Sequence, residues 1–165
     1  MWWQGCRARA ARAIDTLARL QRRDAKRIPM QQPSARQLLA AFGVAFGVMG
    51  VLDGVWLGIV AAGFYQQQMG ALMTDSVRLA PALLFYLGYP AAIVGLALIP
   101  VPATLGIAAL RSAALGLTAY GVYDLSNLAT LRGWSLPLTL VDMAWGTLAT
   151  GIAGALAYRW VLAKR

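Results

Sequence analysis

Four long apolar stretches constrain this chain more than any other feature. They cover residues 38–64, 79–99, 104–130 and 136–162. Each is close to the roughly 20 residues with which an α-helix crosses the hydrocarbon core of a bilayer. The mean hydropathy of +0.59 agrees, because it exceeds that of an ordinary soluble domain. We therefore predict an all-α integral membrane protein, in which residues 38–165 form a four-helix transmembrane bundle.

Positive charge predicts how the bundle is oriented. Residues 1–37 hold nine of the fifteen Lys and Arg residues, whereas the loops after the first and third stretches hold only Arg78 and Arg132. Because Lys- and Arg-rich flanks stay on the cytoplasmic side, we predict that both termini are cytoplasmic. A basic chain can also bind nucleic acid, but this one has no nucleic-acid-binding motif. We expect no nucleic-acid partner.

The basic N-terminal segment, residues 1–37, is open to four interpretations. Residues 6–27 are rich in Arg and place Ile14, Leu17 and Ala18 on one side of a helix. This pattern predicts an amphipathic helix lying on anionic lipid. The same composition fits a disordered tail or a transit peptide. Alternatively, translation starts at Met30, in which case residues 1–29 are not part of the mature protein.

The amino-acid composition narrows the chemistry of any site. The chain has no histidine and a single cysteine, Cys6, so a His-ligated metal site, a cysteine cluster and an intrachain disulfide are excluded. All six acidic residues are aspartate. No cofactor is evident, and a metal site, if there is one, has only Asp53, Asp124 and Asp142 to use within the apolar stretches.

These three aspartates are the main candidates for function. An ionised side chain at the centre of a bilayer costs about 2.5–3.5 kcal/mol on insertion scales, so each aspartate needs a partner or a role. Asp53, Asp124 and Asp142 lie in the first, third and fourth stretches. With alternating helix directions and a rise of about 1.5 Å per residue, all three fall in the outer half of the membrane. We predict that they form one polar cluster.

Other polar and aromatic side chains are predicted to join this cluster. On the third stretch, Tyr120, Tyr123 and Asn127 share one helical face with Asp124. Tyr86 of the second stretch lies at a comparable depth, and an Asp-x-x-Trp motif occurs in both the first and the fourth stretch. The predicted site consists of Asp53, Trp56, Tyr86, Tyr120, Tyr123, Asp124, Asn127, Asp142 and Trp145.

Glycine, aromatic residues and one proline predict how the helices are arranged. Glycines recur every three or four residues on one face of the first stretch, which allows the backbone of a neighbouring helix to approach closely. We interpret Tyr65 and Trp160 as interfacial belt residues, and Pro90 as the cause of a kink in the second helix. The glycines of the predicted packing face are Gly43, Gly47, Gly50, Gly54 and Gly58.

Several motifs resemble those of a known family, the bacterial predicted membrane proteins grouped as domain of unknown function 2177. The resemblance covers about residues 40–155. It implies a multi-pass protein with four helices in a bacterial inner membrane, and it brings no established activity. The motifs that carry it are Leu52-Asp53-x-x-Trp56-Leu57-Gly58, Tyr120-x-x-Tyr-Asp-Leu-Ser-Asn-Leu-Ala-Thr130 and Val141-Asp142-x-x-Trp145-Gly146-Thr147.

The cluster leaves several functions open. We favour a membrane protein that handles a proton, a cation or a small solute, as a homo-oligomer or within a larger membrane complex. A membrane enzyme acting on lipid or quinone-like substrates is the second hypothesis, with an aspartate as general acid or base and Tyr120 or Tyr123 as its partner. An accessory or assembly subunit docking through the glycine face is the third. The aspartates can also serve only to hold the helices together.

Overall fold

Five α-helices make up most of the chain in the computed structural model, which describes residues 32–74 and 76–163. The helix predicted within residues 6–27 lies outside the described residues. We label the helices in chain order. They are α1 (Ala35–Val55), α2 (Ala62–Met69), α3 (Leu79–Ala92), α4 (Leu105–Thr130) and α5 (Leu136–Ala157).

Three of these helices continue into a π-helical turn, namely Trp56–Val60 after α1, Ile93–Ala97 after α3 and Tyr158–Leu162 after α5. With these turns included, four helices of the described residues are long and apolar enough to cross a membrane. The predicted four-helix membrane fold is therefore confirmed, while the orientation of its termini stays a prediction. The four spans are Ala35–Val60, Leu79–Ala97, Leu105–Thr130 and Leu136–Leu162.

The first apolar stretch differs from its prediction at both ends. The helix begins earlier, at Ala35, because Ser34 and Gln37 form a capping box at its N-terminus. At the other end, Ala61 leaves helical geometry with φ −111° and ψ 3°. Residues 62–69 therefore form a separate short helix, α2, rather than the end of a straight span. One residue of α2, Tyr65, packs with Leu138 of α5.

Helices α4 and α5 form the most closely packed pair of the bundle, and glycines make this approach feasible. A Cβ atom added at Gly116 of α4 would lie 2.8 Å from Cβ of Thr150, and one added at Gly151 of α5 would lie 3.3 Å from Cβ of Ala113. At Gly146 of α5 the added atom would overlap a tyrosine ring of α4. A larger residue at Gly116 or Gly146 would force the two helices apart, whereas Gly151 leaves slightly more room.

The glycine face predicted on the first helix does not take part in this packing. A Cβ atom added at any of its five glycines would have no atom of another described element within 4 Å. Instead, α1 buries Ala41, Ala45 and Met49, which share another face at a spacing of four residues. Buried alanine and methionine side chains remove apolar surface from the solvent or lipid, whereas glycine has no side chain to bury. Within the described chain, Gly43, Gly47, Gly50, Gly54 and Gly58 face no neighbouring helix.

Helix α3 approaches the rest of the bundle unevenly. Its π-helical turn, Ile93–Ala97, packs against α1, α4 and α5. The preceding part, Leu79–Ala92, packs against α1 but makes no extended backbone contact with α4 or α5 in the described residues. A side-chain contact joins this part of α3 to α5, because the Tyr89 hydroxyl lies 2.9 Å from the Thr150 hydroxyl. Pro90 lies buried inside α3, and the kink predicted there stays a prediction.

Candidate functional site

A cavity of about 590 Å³ lies near the end of the bundle where α1 passes into α2. All five helices contribute to its wall. Most of the wall surface is apolar, because the tyrosine and tryptophan residues present mainly ring carbons and few polar atoms. Its polar lining consists of Asp53, Tyr65, Tyr86, Tyr89, Tyr120, Tyr123, Asp142 and Trp145. Its apolar lining consists of Leu57, Met69, Ala82, Phe85 and Ala119.

Asp142 of α5 presents its half-buried carboxyl group to this cavity. The Tyr65 hydroxyl donates a hydrogen bond to Oδ1 of Asp142, and the same hydroxyl oxygen accepts one from the Trp56 indole at 3.4 Å. The interpretation of Tyr65 as an interfacial belt residue is wrong, because its side chain is only 7% exposed. The break at Ala61 is what turns Tyr65 back toward α5.

Asp53 of α1 is the second carboxyl group of the cavity, and it is buried. It accepts a hydrogen bond from the Trp145 indole at 3.1 Å. Trp145 in turn stacks on Trp56, with ring centroids 4.3 Å apart and planes inclined by 5°. The two Asp-x-x-Trp motifs of the sequence therefore meet, since the aspartate of the first bonds to the tryptophan of the second.

Asp124 of α4 lies behind Asp142 rather than in the cavity wall. It is completely buried, and neither of its carboxyl oxygens accepts a hydrogen bond from a donor group in the described chain. The carboxyl group of Asp142 lies next to it. Two carboxyl groups in contact repel one another when both are ionised, and a single proton held between them removes the repulsion. The geometry is that of an acid pair.

Tyrosines of α3 and α4 form the aromatic part of the wall. The rings of Tyr89 and Tyr120 meet edge to face at 6.2 Å, which links the two helices at the base of the cavity. Tyr123 lies nearer the open end, where its ring packs edge to face on Trp134 at 5.6 Å. The side chain of Asn127 contacts the Tyr123 hydroxyl and does not line the cavity.

The structure thus brings the predicted site residues together in two layers. Six of them line the cavity, namely Asp53, Tyr86, Tyr120, Tyr123, Asp142 and Trp145. Three support these from behind: Asp124 touches Asp142, Trp56 stacks on Trp145, and Asn127 contacts Tyr123.

Tyr65 and Tyr89 line the cavity but are not among the predicted site residues. Tyr89 had a usable signal, because it follows Tyr86 by three residues and so shares its helical face. The position of Tyr65 depends on the break at Ala61, which lies inside an apolar run with no proline. No local pattern of the sequence marks that break.

Among the described residues, no Lys or Arg side chain lines the cavity wall. Arg111 donates a hydrogen bond to the Pro100 carbonyl at 2.9 Å, at the end of α4 far from Asp124, while Arg78 and Arg132 are exposed. The described residues also contain no group of three or more His, Cys, Asp or Glu side chains placed to hold a metal ion. The described residues therefore place no basic side chain in the cavity wall to balance the charge of its carboxyl groups.

Four apolar helices surrounding a cavity with buried carboxyl groups define a multi-pass membrane protein. The family described as predicted membrane protein (DUF2177) matches residues 38–159, so the chain belongs to this family, as its motifs predicted. That description names a membrane protein and no activity. A comparison with curated proteins and with solved structures finds no significant match. The function has to be inferred from the chemistry of the site.

Proposed function

We propose that the protein binds and handles a small cation within the membrane, at the carboxyl groups of Asp142 and Asp53. One observation carries the proposal: two carboxyl groups line the cavity, and no basic side chain of the described residues accompanies them. In a low-dielectric environment an uncompensated carboxylate attracts a cation far more strongly than it does in water. A cation entering the cavity would supply the missing counter-charge.

The acid pair gives this site a defined charge. If Asp124 and Asp142 hold one proton between them, the pair carries a single negative charge. Asp124 is sealed off from the cavity and Asp142 faces it, so the proton belongs on Asp124 and the charge on Asp142. Asp124 then acts as a positioning residue that donates a hydrogen bond to Asp142, as Tyr65 does from the other side.

Protons and cations compete for the same carboxylate in this arrangement. Acidification adds a proton to Asp142, which removes the charge that holds the cation. Cation binding is therefore expected to weaken as the pH falls. The same competition would let the protein exchange a proton for a cation, which supports the hypothesis of ion or solute handling over a purely structural role for the aspartates.

The proposal is tested by calorimetric titration of the purified protein in detergent. The titrants are salts of sodium, potassium, magnesium, ammonium and tetraalkylammonium ions. We expect saturable binding of at least one of these cations to the parent, loss of that binding in Asp142→Asn and weaker binding in Asp53→Asn. Asp124→Asn is the matched control, because it makes the same chemical change outside the cavity wall and keeps a hydrogen-bond donor.

Two results would overturn the proposal. One is a folded parent protein that binds none of these cations across the pH range in which it is stable. The other is an Asp142→Asn protein that binds the cation as tightly as the parent does. Thermal unfolding of each variant, measured alongside, separates a lost ligand from a lost fold.

A membrane enzyme acting on lipid or quinone-like substrates is the second candidate. The observation that favours it is the contact of Asp142 with the Tyr65 hydroxyl beside a mostly apolar cavity, an arrangement suited to general acid–base chemistry. Tyr65 takes the place of the partner that we predicted at Tyr120 or Tyr123. Mass spectrometry of lipid extracts from cells with the parent or with Asp142→Asn tests this candidate, which requires a lipid product that depends on Asp142.

Assembly with other chains is a further part of the proposal. The glycine face of α1 meets no other element of the described chain. This supports a homo-oligomer or a larger membrane complex, because small residues favour helix association in lipid. Gly50→Leu places a bulky side chain there, and size-exclusion chromatography with light scattering reports the oligomeric state. An unchanged state would argue against this face as the interface. We propose the bacterial inner membrane as the location.

A further inference from the structure

We propose that the cation is organic, with an apolar body as in a tertiary or quaternary ammonium ion, and that it enters the cavity from the bilayer between α3 and α4. This inference rests on the proposed cation site and names its ligand class and its route. It draws on the size of the cavity, its aromatic wall and the uneven packing of α3.

The cavity suits an organic molecule better than a bare metal ion. Its volume of about 590 Å³ lies within the range of small-molecule pockets. An inorganic cation stripped of water needs several oxygen ligands in direct contact. The described residues provide no group of three or more metal-ligating side chains. An organic cation needs a single carboxylate for its charge, and its apolar body fills the remaining space.

The aromatic wall fits the same ligand class. Rings from three helices surround the space next to Asp53 and Asp142, since Tyr89, Tyr120 and Trp145 all line it. The face of an aromatic ring attracts a cation, and cages of such rings are a recurrent way of recognising quaternary ammonium groups. A carboxylate next to several rings therefore combines the two attractions that a lipophilic cation uses.

The route follows from the way α3 packs. Between Leu79 and Ala92, α3 makes its extended backbone contacts with α1 and none with α4 or α5 in the described chain. Both helices contribute a small side chain to the cavity wall, Ala82 of α3 and Ala119 of α4. At its edge Phe85 is 40% and Tyr123 55% exposed. Because both helices lie in the membrane, this gap opens toward lipid.

The contact of Tyr89 with Tyr120 and Thr150 closes the gap at its base. A ligand that enters between the helices would therefore stop beside Asp53 and Asp142 rather than pass on toward the π-helical turn Ile93–Ala97. Lipophilic cations concentrate in bilayers, so their concentration at such an opening is higher than their concentration in water.

The ligand class is tested with four probes in one titration series on the full chain. They are tetraphenylphosphonium, tetramethylammonium, sodium ion and the neutral triphenylphosphine oxide. We expect tetraphenylphosphonium to bind at least about tenfold more tightly than tetramethylammonium, because it adds apolar contacts to the same charge. We also expect the neutral compound to bind far more weakly than tetraphenylphosphonium, and Asp142→Asn to lose the difference.

The outcomes separate this inference from the proposed function. Binding of sodium or tetramethylammonium without tetraphenylphosphonium overturns the inference and leaves the cation site standing. Absence of binding by every cation overturns both. Equal binding of the neutral compound and tetraphenylphosphonium overturns the requirement for charge.

The route is tested by narrowing the gap. Ala119→Trp places a large side chain between α3 and α4, and Ala114→Trp is the matched control on the exposed face of the same helix. In nanodiscs, stopped-flow measurements should show at least about tenfold slower association of tetraphenylphosphonium in Ala119→Trp and a parent-like rate in the control. Equal rates in the parent and Ala119→Trp would overturn the route. Ala82→Trp narrows the gap from α3 and provides the measurement if Ala119→Trp does not fold.

Discussion

The hydroxyl of Tyr65 donates a hydrogen bond to the carboxyl group of Asp142, and this contact joins the short helix α2 to α5. A second contact ties the same two helices, because the Ser135 hydroxyl at the start of α5 donates to the Gln68 side chain of α2. Helix α2 therefore does more than connect α1 to α3. It completes the wall of the cavity and holds the carboxyl group that we assign to cation binding.

Replacing Tyr65 with phenylalanine tests this coupling. Tyr65→Phe removes the hydrogen bond to Asp142 and the acceptor of the Trp56 indole. We expect the free energy of unfolding in detergent to fall by about 1–3 kcal/mol, the usual range for a lost bond to an ionised group. Tyr158→Phe is the control, since Tyr158 is also buried but belongs to the apolar cluster with Ala41 and Leu98. Equal losses in both variants would contradict a specific role for Tyr65.

The close contact of α4 and α5 at their glycines predicts that substitution there lowers the stability of the protein. Gly146→Ala adds a Cβ atom that would overlap the Tyr120 ring, so the helices have to shift. We expect a loss of roughly 1–3 kcal/mol in the free energy of unfolding, as for other overpacked cores. Gly50→Ala on the open face of α1 makes the same change in free space, and it should be neutral. Comparable melting temperatures of the two variants would contradict the close approach of α4 and α5 at Gly146.

The fold was predictable from the sequence because each membrane span is recognised from the average hydropathy of a long segment. Hydropathy over about 20 residues identifies a span without any knowledge of its neighbours. The start of α1 also had a local signal, since Ser34 and Gln37 form a capping box whose letters are visible in the sequence. The break at Ala61 had none, and the separate helix α2 was missed for that reason.

The candidate site was predictable in part. Asp53 and Asp142 were found because charge is costly in lipid wherever it occurs. The glycine face predicted on α1 meets no other helix of the described chain, whereas the glycines that allow a close approach lie on α4 and α5. A regular row of small residues shows that a close approach is sterically allowed, but not which neighbour will use it. At Gly116, Gly146 and Gly151, by contrast, the surrounding side chains determine the fit, and a single-helix pattern does not contain them.

Asp124 provides a test of the acid pair. Asp124→Asn retains a hydrogen-bond donor toward Asp142, whereas Asp124→Leu has a similar volume and no polar group. We expect cation binding to remain within about threefold of the parent in the asparagine variant and to weaken by roughly tenfold or more in the leucine variant, in line with the value of one bond to an ionised group. Calorimetric titration measures both. Equal cation binding by the two variants would show that Asp124 does not position the Asp142 carboxyl group.

The predicted orientation is open to a labelling test with the single cysteine. If the termini are cytoplasmic, a membrane-impermeant thiol reagent should label Cys6 only after the membrane is permeabilised. In the variant Cys6→Ser with Arg132→Cys, the new thiol lies in the loop between α4 and α5 and should react in intact cells. The reverse pattern would place the cavity in the half of the membrane next to the cytoplasm.

The most direct test of the central claim is a cryo-electron microscopy structure of the protein in nanodiscs with a bound cation. The cation should be the one that binds most tightly in the titrations, present at a saturating concentration. We predict density inside the cavity next to the Asp142 carboxyl group, within reach of the Tyr65 hydroxyl and the Tyr120 ring. Density for the saturating ligand at another place, with the cavity filled by lipid or collapsed, would contradict the account.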